Sequence, residues 1–555
     1  MDKNQILKRN LLALSSRDPE LSARLSSTHP DIHTRFLSAR SGHLIPARRV
    51  GDRILSFHSR FDPVREGLRY IEEGPEPGYV IFFGLGGGYH IAPFLKNNQS
   101  FRLLIIEKDL ALMRAILEQI DLRTLLMDPR LKILVDARPQ EVQQTVLTDY
   151  IPTLAGNLKT VSLHARVRID EEYYQSVLHA LKGIIEQVAN DYSVQTQFGK
   201  RWFINTLANL AKAETAAQTF SPARRILITG AGPSLEDQIE QIKELKNDSF
   251  LIATDTSLPF LLAFDVKPEA VISIDCQQIS YRHFLGGYPE DVPLVLDLAS
   301  PPLLSRLSQR LFFFASNHPF SQYIADGWRN LPMLDTSGGN VSHSAFSLAN
   351  LLEADEIYLF GLDFSFPDGK SYARNTYVYP YFRANENRTT PLETFSYTLL
   401  HRNEDTTHER IGQTIRFTTP TMLGYKEKLE NAIMQSRARV ISVEGRGIPL
   451  VIRQSPERLN KQTPVRTILS QGVRKTSWQD FLHSYLEDIR ALPRPVRPFA
   501  NYWQNLSVKA KRVWLTQLPA AAALKGEVMK SSFSSAELLE LTKDWTISIL
   551  NRYVR

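Results

Sequence analysis

A short loop, Gly230-Ala231-Gly232-Pro233-Ser234, has the residue types that best suit anion binding in this sequence. It follows an apolar strand candidate and precedes a helical pattern with apolar residues at Leu235, Ile239, Ile242 and Leu245. Glycines let a ligand approach the backbone closely, and a helix N-terminus presents unpaired N–H groups with a partial positive charge. The loop therefore predicts a phosphate-binding site, in which Ser234 either contacts the ligand or caps the helix together with Asp237.

Carboxylates stand at the ends of three further strand candidates. Asp255 and Asp275 end the second and third strands of the series that begins at residue 225, and Asp363 follows the later strand EIYLFG. Open α/β sheets bind ligands at the carboxyl edge of their strands. An aspartate there accepts hydrogen bonds from ribose hydroxyls, binds a divalent cation, or caps the next turn, and the sequence leaves these three roles open.

A second helix start with anion-binding character consists of Thr336, Ser337, Gly338, Gly339 and Asn340. The turn precedes a helical pattern, and its N–H and hydroxyl groups suit a carboxylate or a phosphate. A Ser-Gly-Gly-Asn turn also forms without any ligand, so this prediction has a purely structural alternative.

The elements that carry these residues form two series of alternating strands and helices. Strand candidates of the first series lie at 78–86, 101–107 and 131–135, and those of the second begin at 225, 250, 270, 293, 310 and 356. Such alternation predicts the α/β fold class, with two Rossmann-like parallel-sheet domains followed by a helical C-terminal region. The predicted boundaries are 1–60 for an N-terminal helical or irregular segment, 61–217 and 218–455 for the two sheet domains, and 456–555 for the helical region. Residues 363–422 are predicted to be long functional loops that form a lid.

Composition narrows the function classes. The 555 residues carry a formal net charge of +7, and their Lys and Arg are spread along the chain, so no nucleic-acid partner is expected. There is no run of about 18 uncharged apolar residues, and the opening MDKNQILKRN lacks the apolar core of a signal peptide. We therefore expect no membrane span and a cytoplasmic location. The single cysteine, Cys276, excludes an internal disulfide and is expected to be a buried thiol.

The stretches GAGPSL, LIATDTSLPFLLAFDVKPEAVISID and TSGGNVSHSAFSLANLLEADEIYLFGLDFSF give the chain a family resemblance. It resembles the motility-associated factor (Maf) family of flagellin glycosyltransferases over about residues 220–450, through RFTTPTMLGYKEKLENAI and VISVEGRGIPL. Similar motifs occur in bacterial sialyltransferases that use cytidine-monophosphate (CMP) sugars and in the archaeal hydroxymethylpterin diphosphokinase (MptE-like) group. The resemblance implies an inverting protein O-glycosyltransferase. Its donor would be a CMP-activated nonulosonic acid of the pseudaminic or legionaminic type, and its acceptor Ser or Thr of flagellin.

The sialyltransferase motifs assign roles to several residues of this sequence. Gly230, Gly232, Pro233 and Ser234 match the loop around the nucleotide, although Ala231 replaces an asparagine. Asp255 and Asp275 match asparagines that face the ribose and the phosphate. The serine of the Thr336–Asn340 turn matches one that touches the sugar carboxylate or the nucleotide.

The same resemblance makes Tyr372 the donor of a hydrogen bond to the leaving phosphate. A second tyrosine of those enzymes falls near Ser365 here, so its role is missing or passes to Tyr377, Tyr379, Tyr381 or Arg374. A histidine suits the base that deprotonates the acceptor hydroxyl. His401 lies at about the matching distance after Tyr372, with His408, His343 and His318 as alternatives. His401, Tyr372 and Asp363 are therefore the predicted catalytic residues.

Two further questions stay open at this point. Gly84-Leu85-Gly86-Gly87-Gly88, with Glu107 about 20 residues later, fits a dinucleotide or S-adenosylmethionine fingerprint, but a structural role is the favoured interpretation. No cofactor is assigned, and a divalent cation at Asp255 and Asp275 remains open. Alternative functions are a pterin diphosphokinase that uses ATP and magnesium, and a flagellin-binding chaperone with a degenerate nucleotide site.

Overall fold

The computed structural model describes residues 3–72, 78–96, 100–402, 405–455, 467–496, 499–527 and 534–554. Its contacts group into two compact units. The first comprises residues 1–199, 491–514 and 518–545, and the second comprises residues 200–490, 515–517 and 546–555. The predicted boundary at residue 456 begins a segment, 456–466, that lies outside the described residues.

The first unit opens with two helices and a small antiparallel sheet. In chain order these are α1 (Lys3–Ser15), α2 (Pro19–Ser27), β1 (Thr34–Ser38), β2 (Leu44–Val50) and β3 (Arg53–Ser56), and the sheet order is β1-β2-β3. The prediction of a helical or irregular segment for residues 1–60 therefore needs correction at 34–56. These strands bury few residues, so their sequences lack the regular apolar alternation by which strands are recognised.

The main sheet of the first unit is parallel, as the alternating pattern predicts. Its strands are β4 (Tyr79–Phe83), β5 (Arg102–Glu107), β6 (Leu131–Val135) and β7 (Leu158–Ser162), in the order β6-β5-β4-β7. Successive residues of β4 enter separate apolar clusters, since Val80 and Phe82 join one cluster while Ile81 and Phe83 join another. The sequence did not predict β7, in which only one residue is fully buried.

Helices connect and cover these strands. They are α3 (Pro63–Glu72), α4 (Ala92–Lys96), α5 (Leu110–Gln119), α6 (Arg123–Leu126), α7 (Pro139–Asp149), α8 (Pro152–Ala155), α9 (His164–Val167) and α10 (Glu171–Thr215). The boundary between the two units falls within α10.

The second unit is built on a larger parallel sheet. Its first six strands in chain order are β8 (Arg225–Thr229), β9 (Phe250–Thr254), β10 (Ala270–Ser273), β11 (Leu294–Asp297), β12 (Leu311–Phe314) and β13 (Glu356–Phe360). The chain then forms a separate small sheet, the hairpin sheet, from β14 (Phe366–Pro367), β15 (Thr407–Ile411) and β16 (Thr414–Thr418). The last strand of the large sheet is β17 (Arg439–Ser442). The large sheet has the order β12-β11-β10-β9-β8-β13-β17. All six predicted strands are present, and β17 is an additional one.

The strand order fixes where a ligand crevice opens. From β8 the chain moves outward through β9 to β12, and it then returns to place β13 on the other side of β8. The order therefore reverses between β8 and β13, and the loops that follow these two strands diverge from a topological switch point.

The remaining helices complete the second unit and the C-terminal part. They are α11 (Leu235–Lys246), α12 (Leu258–Ala263), α13 (Pro319–Gly327), α14 (Val341–Leu351), α15 (Val378–Asn385), α16 (Leu392–Leu400), α17 (Pro420–Gln435), α18 (Trp478–Arg490), α19 (Phe499–Asn505), α20 (Val508–Glu527) and α21 (Ser535–Leu550). Residues 363–422, predicted as long loops, contain α15, α16 and the hairpin sheet. The C-terminal helices, predicted as a region of their own, are divided between the two units.

The fold class predicted from the sequence is confirmed, because both large sheets are parallel and helices dominate the C-terminal part. Among the described residues, no helix combines the length and the apolar character that crossing a bilayer requires.

Candidate functional site

The predicted anion-binding loop lies at the switch point, directly after β8. Its backbone pairs with the segment after β13, because Gly230 N donates to Phe360 O at 2.8 Å and Gly232 N donates to Gly361 O at 2.9 Å. A Cβ atom on Gly232 would lie 2.0 Å from Asp363 Oδ2 and 2.7 Å from Gly361 O. Gly232 is thus required by the close approach of two loops within the protein, whether or not a ligand binds.

Asp363 occupies the N-terminal end of α11. Its Oδ2 accepts a 3.0 Å hydrogen bond from Ser234 N, and its Oδ1 accepts a short one from Ser234 Oγ. The carboxylate is 5% exposed. Burial raises the pKa of Asp363, although the bonds from Ser234 counteract part of this rise. The N–H group of Ser234, which the sequence predicted to bind a phosphate, therefore donates to a carboxylate of the protein itself.

A third segment, after β17, completes this arrangement. Arg446 N donates to Ser234 Oγ at 2.6 Å, and the Arg446 guanidinium donates to Pro233 O at 2.7 Å. Gln238 accepts from Gly361 N at 2.8 Å and donates to Glu444 O at 2.9 Å. We call Ser234, Gln238, Gly361, Asp363 and Arg446 the Asp363 cluster. It holds three loops together at the switch point.

Asp255 and Asp275 follow the paired strands β9 and β10 at the same edge of the sheet. Both oxygens of Asp255 are engaged, one with Ser273 Oγ at 2.6 Å and the other with Thr256 N at 2.7 Å. Asp275 accepts from Gln277 N at 2.9 Å, and burial, with a contribution from the Asp255 charge, raises its pKa.

The possible divalent cation can be tested against these contacts. The carboxylate oxygens of Asp255 already accept hydrogen bonds from neighbouring residues. Among the described residues, no group of three His, Cys, Asp or Glu side chains is arranged to hold a metal ion. The arrangement does not fit a metal site built from protein ligands alone.

A fourth strand-end carboxylate, beside Asp255, Asp275 and Asp363, was missed by the sequence analysis. Asp297 ends β11, is 2% exposed, and accepts from Ala299 N at 2.8 Å. Burial raises its pKa to about 6. The signal was available, because the strand PLVLD ends in an aspartate as the two preceding strands do. Cys276 is buried, as predicted, and burial raises the pKa of its thiol to about 12.

Tyr372 lies beside the glycine loop, because Ala373 N donates to Ala231 O at 2.9 Å. Its ring is 6.4 Å from that of Tyr377. Burial raises the pKa of Tyr372, and the neighbouring Tyr377 and Asp255 raise it further, so the phenol keeps its proton at neutral pH. It is therefore able to donate a hydrogen bond.

The residues considered as substitutes for the missing tyrosine have different surroundings. Tyr377 lies beside Tyr372, whereas Arg374 pairs with Glu236 at 3.1 Å. The Tyr379 hydroxyl donates to the carbonyl oxygen of Tyr372 at 2.9 Å, and Tyr381 is 49% exposed. Ser365 is buried and donates to Asp363 O at 3.0 Å. Of these residues, Tyr377 is the one whose ring is paired with that of Tyr372.

The Thr336–Asn340 turn begins α14 through conventional capping contacts. The Asn340 side chain accepts from His343 N at 3.0 Å, and Gly339 N donates to Thr336 O at 3.2 Å. Asp335 accepts from Ser337 N at 2.8 Å and from His343 Nε2 at 3.1 Å. Burial alone would raise the pKa of Asp335, but these bonds outweigh it and lower the pKa.

Two glycines of this turn are packed against aromatic rings. A Cβ atom on Gly338 would lie 2.1 Å from the His343 ring, and one on Gly339, which has φ of 77°, would lie 2.7 Å from the ring of Tyr425. Tyr425 also contributes to the raised pKa of Tyr372. Tyr425 on α17 therefore contacts the turn and also influences Tyr372 at the carboxyl edge of the sheet. The sequence analysis did not identify this residue.

The four histidines considered as the base lie in unlike surroundings. His401 is exposed at the end of α16, with its ring 4.1 Å from that of Tyr397, and His408 is exposed on β15. The ring of His318 lies 3.9 Å from that of Trp202 at an interplanar angle of 33°, and burial lowers the pKa of His318 to about 4. His343 is bound to Asp335. Within the described part of the chain, no recorded contact joins His401 to Tyr372, Asp255 or Asp275.

His283 is a further histidine at this edge that the sequence analysis did not consider. It lies in a 3-10 turn, Gln278–Phe284, and its ring is 4.3 Å from that of Tyr377 at an interplanar angle of 81°. It acts to lower the pKa of Asp275, against the rise that burial causes.

In the first unit, the glycine loop after β4 is filled by the protein's own side chains. Glu107 is fully buried, accepts from Arg166 Nε at 3.0 Å, and also accepts from Leu85 N at 3.0 Å. A Cβ atom on Gly86 would lie 2.5 Å from Leu163 and 2.6 Å from His58. Glu107 is therefore engaged within the protein and not presented to a ribose, which favours the structural interpretation of this loop.

Fold and site together define a two-unit α/β protein whose second sheet gathers buried carboxylates, tyrosines and a histidine at its carboxyl edge. Residues 201–369 match the profile of the family described as "6-hydroxymethylpterin diphosphokinase MptE-like". The structure resembles that of the MAf glycosyltransferase from Magnetospirillum magneticum AMB-1, with a TM-score of 0.60 at 15% identity, over 100% of this chain and 96% of the other. The profile match over residues 201–369 and the shared fold both agree with the resemblance that the motifs indicated.

Relatives occur in Treponema pallidum (strain Nichols), where each is described as an uncharacterized protein. One is 36% identical over 124 residues, which are 22% of this chain and 44% of the relative. Another is 31% identical over 170 residues, or 29% of this chain and 79% of the relative, and a third is 26% identical over 253 residues, or 45% and 55%. The chain belongs to the same family as the second of these proteins. It spans about half the length of the other two.

Proposed function

We propose that this chain is a glycosyltransferase that moves a nonulosonic acid from its CMP-activated form to serine or threonine of flagellin. The observation that carries the proposal is the convergence of four motif segments at one edge of a parallel sheet. The loop after β8, the aspartates after β9 and β10, the Thr336–Asn340 turn and Tyr372 are separate in sequence. They meet where open α/β sheets bind nucleotides.

Each of these residues has a separate role in the proposed transfer reaction. Tyr372 is a neutral phenol, and it stabilises the phosphate of the leaving nucleotide by donating a hydrogen bond as negative charge develops there. Asp275 is only half-buried at the carboxyl edge of the sheet, and its carboxylate accepts a hydrogen bond from a ribose hydroxyl. The Asp363 cluster positions the glycine loop and does not itself bind the phosphate.

Ligand-induced stabilisation tests this assignment. CMP should raise the melting temperature of the purified chain, because a ligand that binds only the native state stabilises it by mass action. ATP with magnesium should give the smaller shift. A larger shift with ATP and magnesium would instead support the diphosphokinase named by the matching family profile. Flagellin binding without any nucleotide shift would support the chaperone.

Transfer itself is tested by coexpression with flagellin in cells that make a CMP-nonulosonic acid. The intact mass of flagellin should increase by one or more sugar residues. The same cells carrying the Tyr372→Phe variant provide a matched control, because this change removes one hydroxyl group and leaves the ring in place. Unmodified flagellin with the wild-type chain would contradict the proposal.

A further inference from the structure

The proposed transfer needs a group that removes the proton of the acceptor hydroxyl. A histidine that serves this purpose must lie at the site and must keep one ring nitrogen available to accept that proton. His343 is hydrogen-bonded to Asp335 through Nε2, and its Nδ1, which has no partner among the described residues, is covered by its own turn, because a Cβ atom on Gly338 would lie 2.4 Å from it. The His318 ring lies 3.9 Å from that of Trp202, and burial lowers the pKa of His318 to about 4. His401 and His408 are exposed beside aromatic rings of the α16 and hairpin region.

His283 meets both conditions. Its Nδ1 is buried, and among the described residues it has no hydrogen-bond partner, although the ring as a whole is only half-buried. An unpartnered buried nitrogen is costly, and such atoms occur where a substrate or a water completes the site. The ring is held by the edge of Tyr377, which in turn lies beside Tyr372.

We propose that the imidazole of His283 is the proton acceptor of the reaction, an inference that rests on the proposed function. The acceptor O–H bond breaks and its proton passes to the imidazole, while the acceptor oxygen forms a bond to the anomeric carbon of the sugar. The bond from that carbon to the phosphate oxygen breaks, and CMP leaves with the electron pair. The imidazolium then returns its proton to water.

Charged neighbours support this role. Asp275 lies two residues after the end of β10, and His283 acts to lower the pKa of this carboxyl group against the effect of burial. The Asp275 carboxylate stabilises the imidazolium formed during transfer. Burial raises the pKa of Tyr377, so this neighbour stays neutral. Arg282 on the same turn points elsewhere, because its guanidinium lies over the ring of Tyr381 at 5.2 Å.

The test compares His283→Gln with His401→Gln and with His483→Gln, a control on the exposed side of α18. For each variant, the CMP-induced rise in melting temperature and the pH dependence of the flagellin modification rate are measured. His283→Gln should keep the CMP shift, lose about 10²- to 10⁴-fold in rate, and lose the decline of rate toward acid pH. His401→Gln and His483→Gln should behave as the wild type.

Chemical rescue adds a readout that a structural role would not give. His283→Ala should regain part of its rate when imidazole is added, since the free base can enter the vacated space. Wild-type rates in His283→Gln, or a selective loss in His401→Gln, would overturn the inference while leaving the proposed function intact. A wild-type chain that shows neither a CMP shift nor transfer would overturn both.

Discussion

Replacing Gly232 by alanine tests whether the glycine loop is a structural contact. The added Cβ would lie 2.0 Å from Asp363 Oδ2, where an ordinary contact needs about 3.4 Å or more. The two loops must therefore separate by more than 1 Å. A separation of that size would break the 2.9 Å bond from Gly232 N to Gly361 O and the 3.0 Å bond from Ser234 N to Asp363.

The expected cost follows from these two bonds. A neutral backbone bond contributes about 1 kcal/mol and a bond to a charged group about 1.5–3 kcal/mol, so Gly232→Ala should destabilise the second unit by about 2.5–4 kcal/mol. Gly232→Val carries a larger side chain into the same space and should destabilise the unit at least as much, because the position faces Asp363 and not an open phosphate site.

The matched control is Gly424→Ala in the same unit. Gly424 lies inside α17, and a Cβ atom there would have no neighbour within 4 Å. Alanine is favoured over glycine in a helix interior, so this change should stabilise the chain by about 0.5–1 kcal/mol. Both variants are compared with the wild type by thermal and denaturant unfolding. Wild-type stability in Gly232→Ala would refute the close-contact account of the loop.

Three further outcomes are expected. Gly86→Ala should destabilise the first unit by about 1–3 kcal/mol without changing the CMP-induced rise in melting temperature. The added Cβ atom would clash with Leu163 and His58, and the residue has φ of 48°, which alanine adopts only with strain. Unfolding curves with and without CMP check this. Burial raises the pKa of Asp297 from 3.8 in the unfolded chain to about 6 in the folded protein. The contribution of Asp297 to the free energy of unfolding is therefore complete below the unfolded pKa and is lost as the pH rises through about 6. Asp297→Asn should therefore melt above the wild type at pH 8 by the equivalent of up to about 3 kcal/mol, and this advantage should disappear at pH 4. Tyr372→Phe should slow transfer about 10- to 1,000-fold while largely keeping the CMP shift, because the phenol acts chiefly as charge develops on the phosphate; modification rates and shifts measured side by side decide this.

The amino-acid sequence determined the α/β class and most strands of both large sheets. Buried parallel strands are continuous apolar runs, and RILITG or FLIATD indicate such strands without further information. The positions of Asp255 and Asp275 at strand ends were likewise readable, since a polar residue that follows an apolar run marks the end of the strand. The strands β1 to β3 and β7 were missed, because short strands that bury few of their residues do not need an apolar pattern.

Tertiary structure decided which residues meet and what they do there. The sequence motifs predicted that Ser234 contacts a phosphate. The chain returns through β13, however, and places Asp363 at the same helix end, where its carboxylate accepts the hydrogen bond from Ser234 N. Spacing along the chain favoured His401 as the base. The sheet order instead places His283 beside Tyr377 and near Asp275, contacts that no local pattern encodes. Local propensity fixes where a strand ends, but side-chain partners arise from residues far apart in sequence, and only the folded chain shows them.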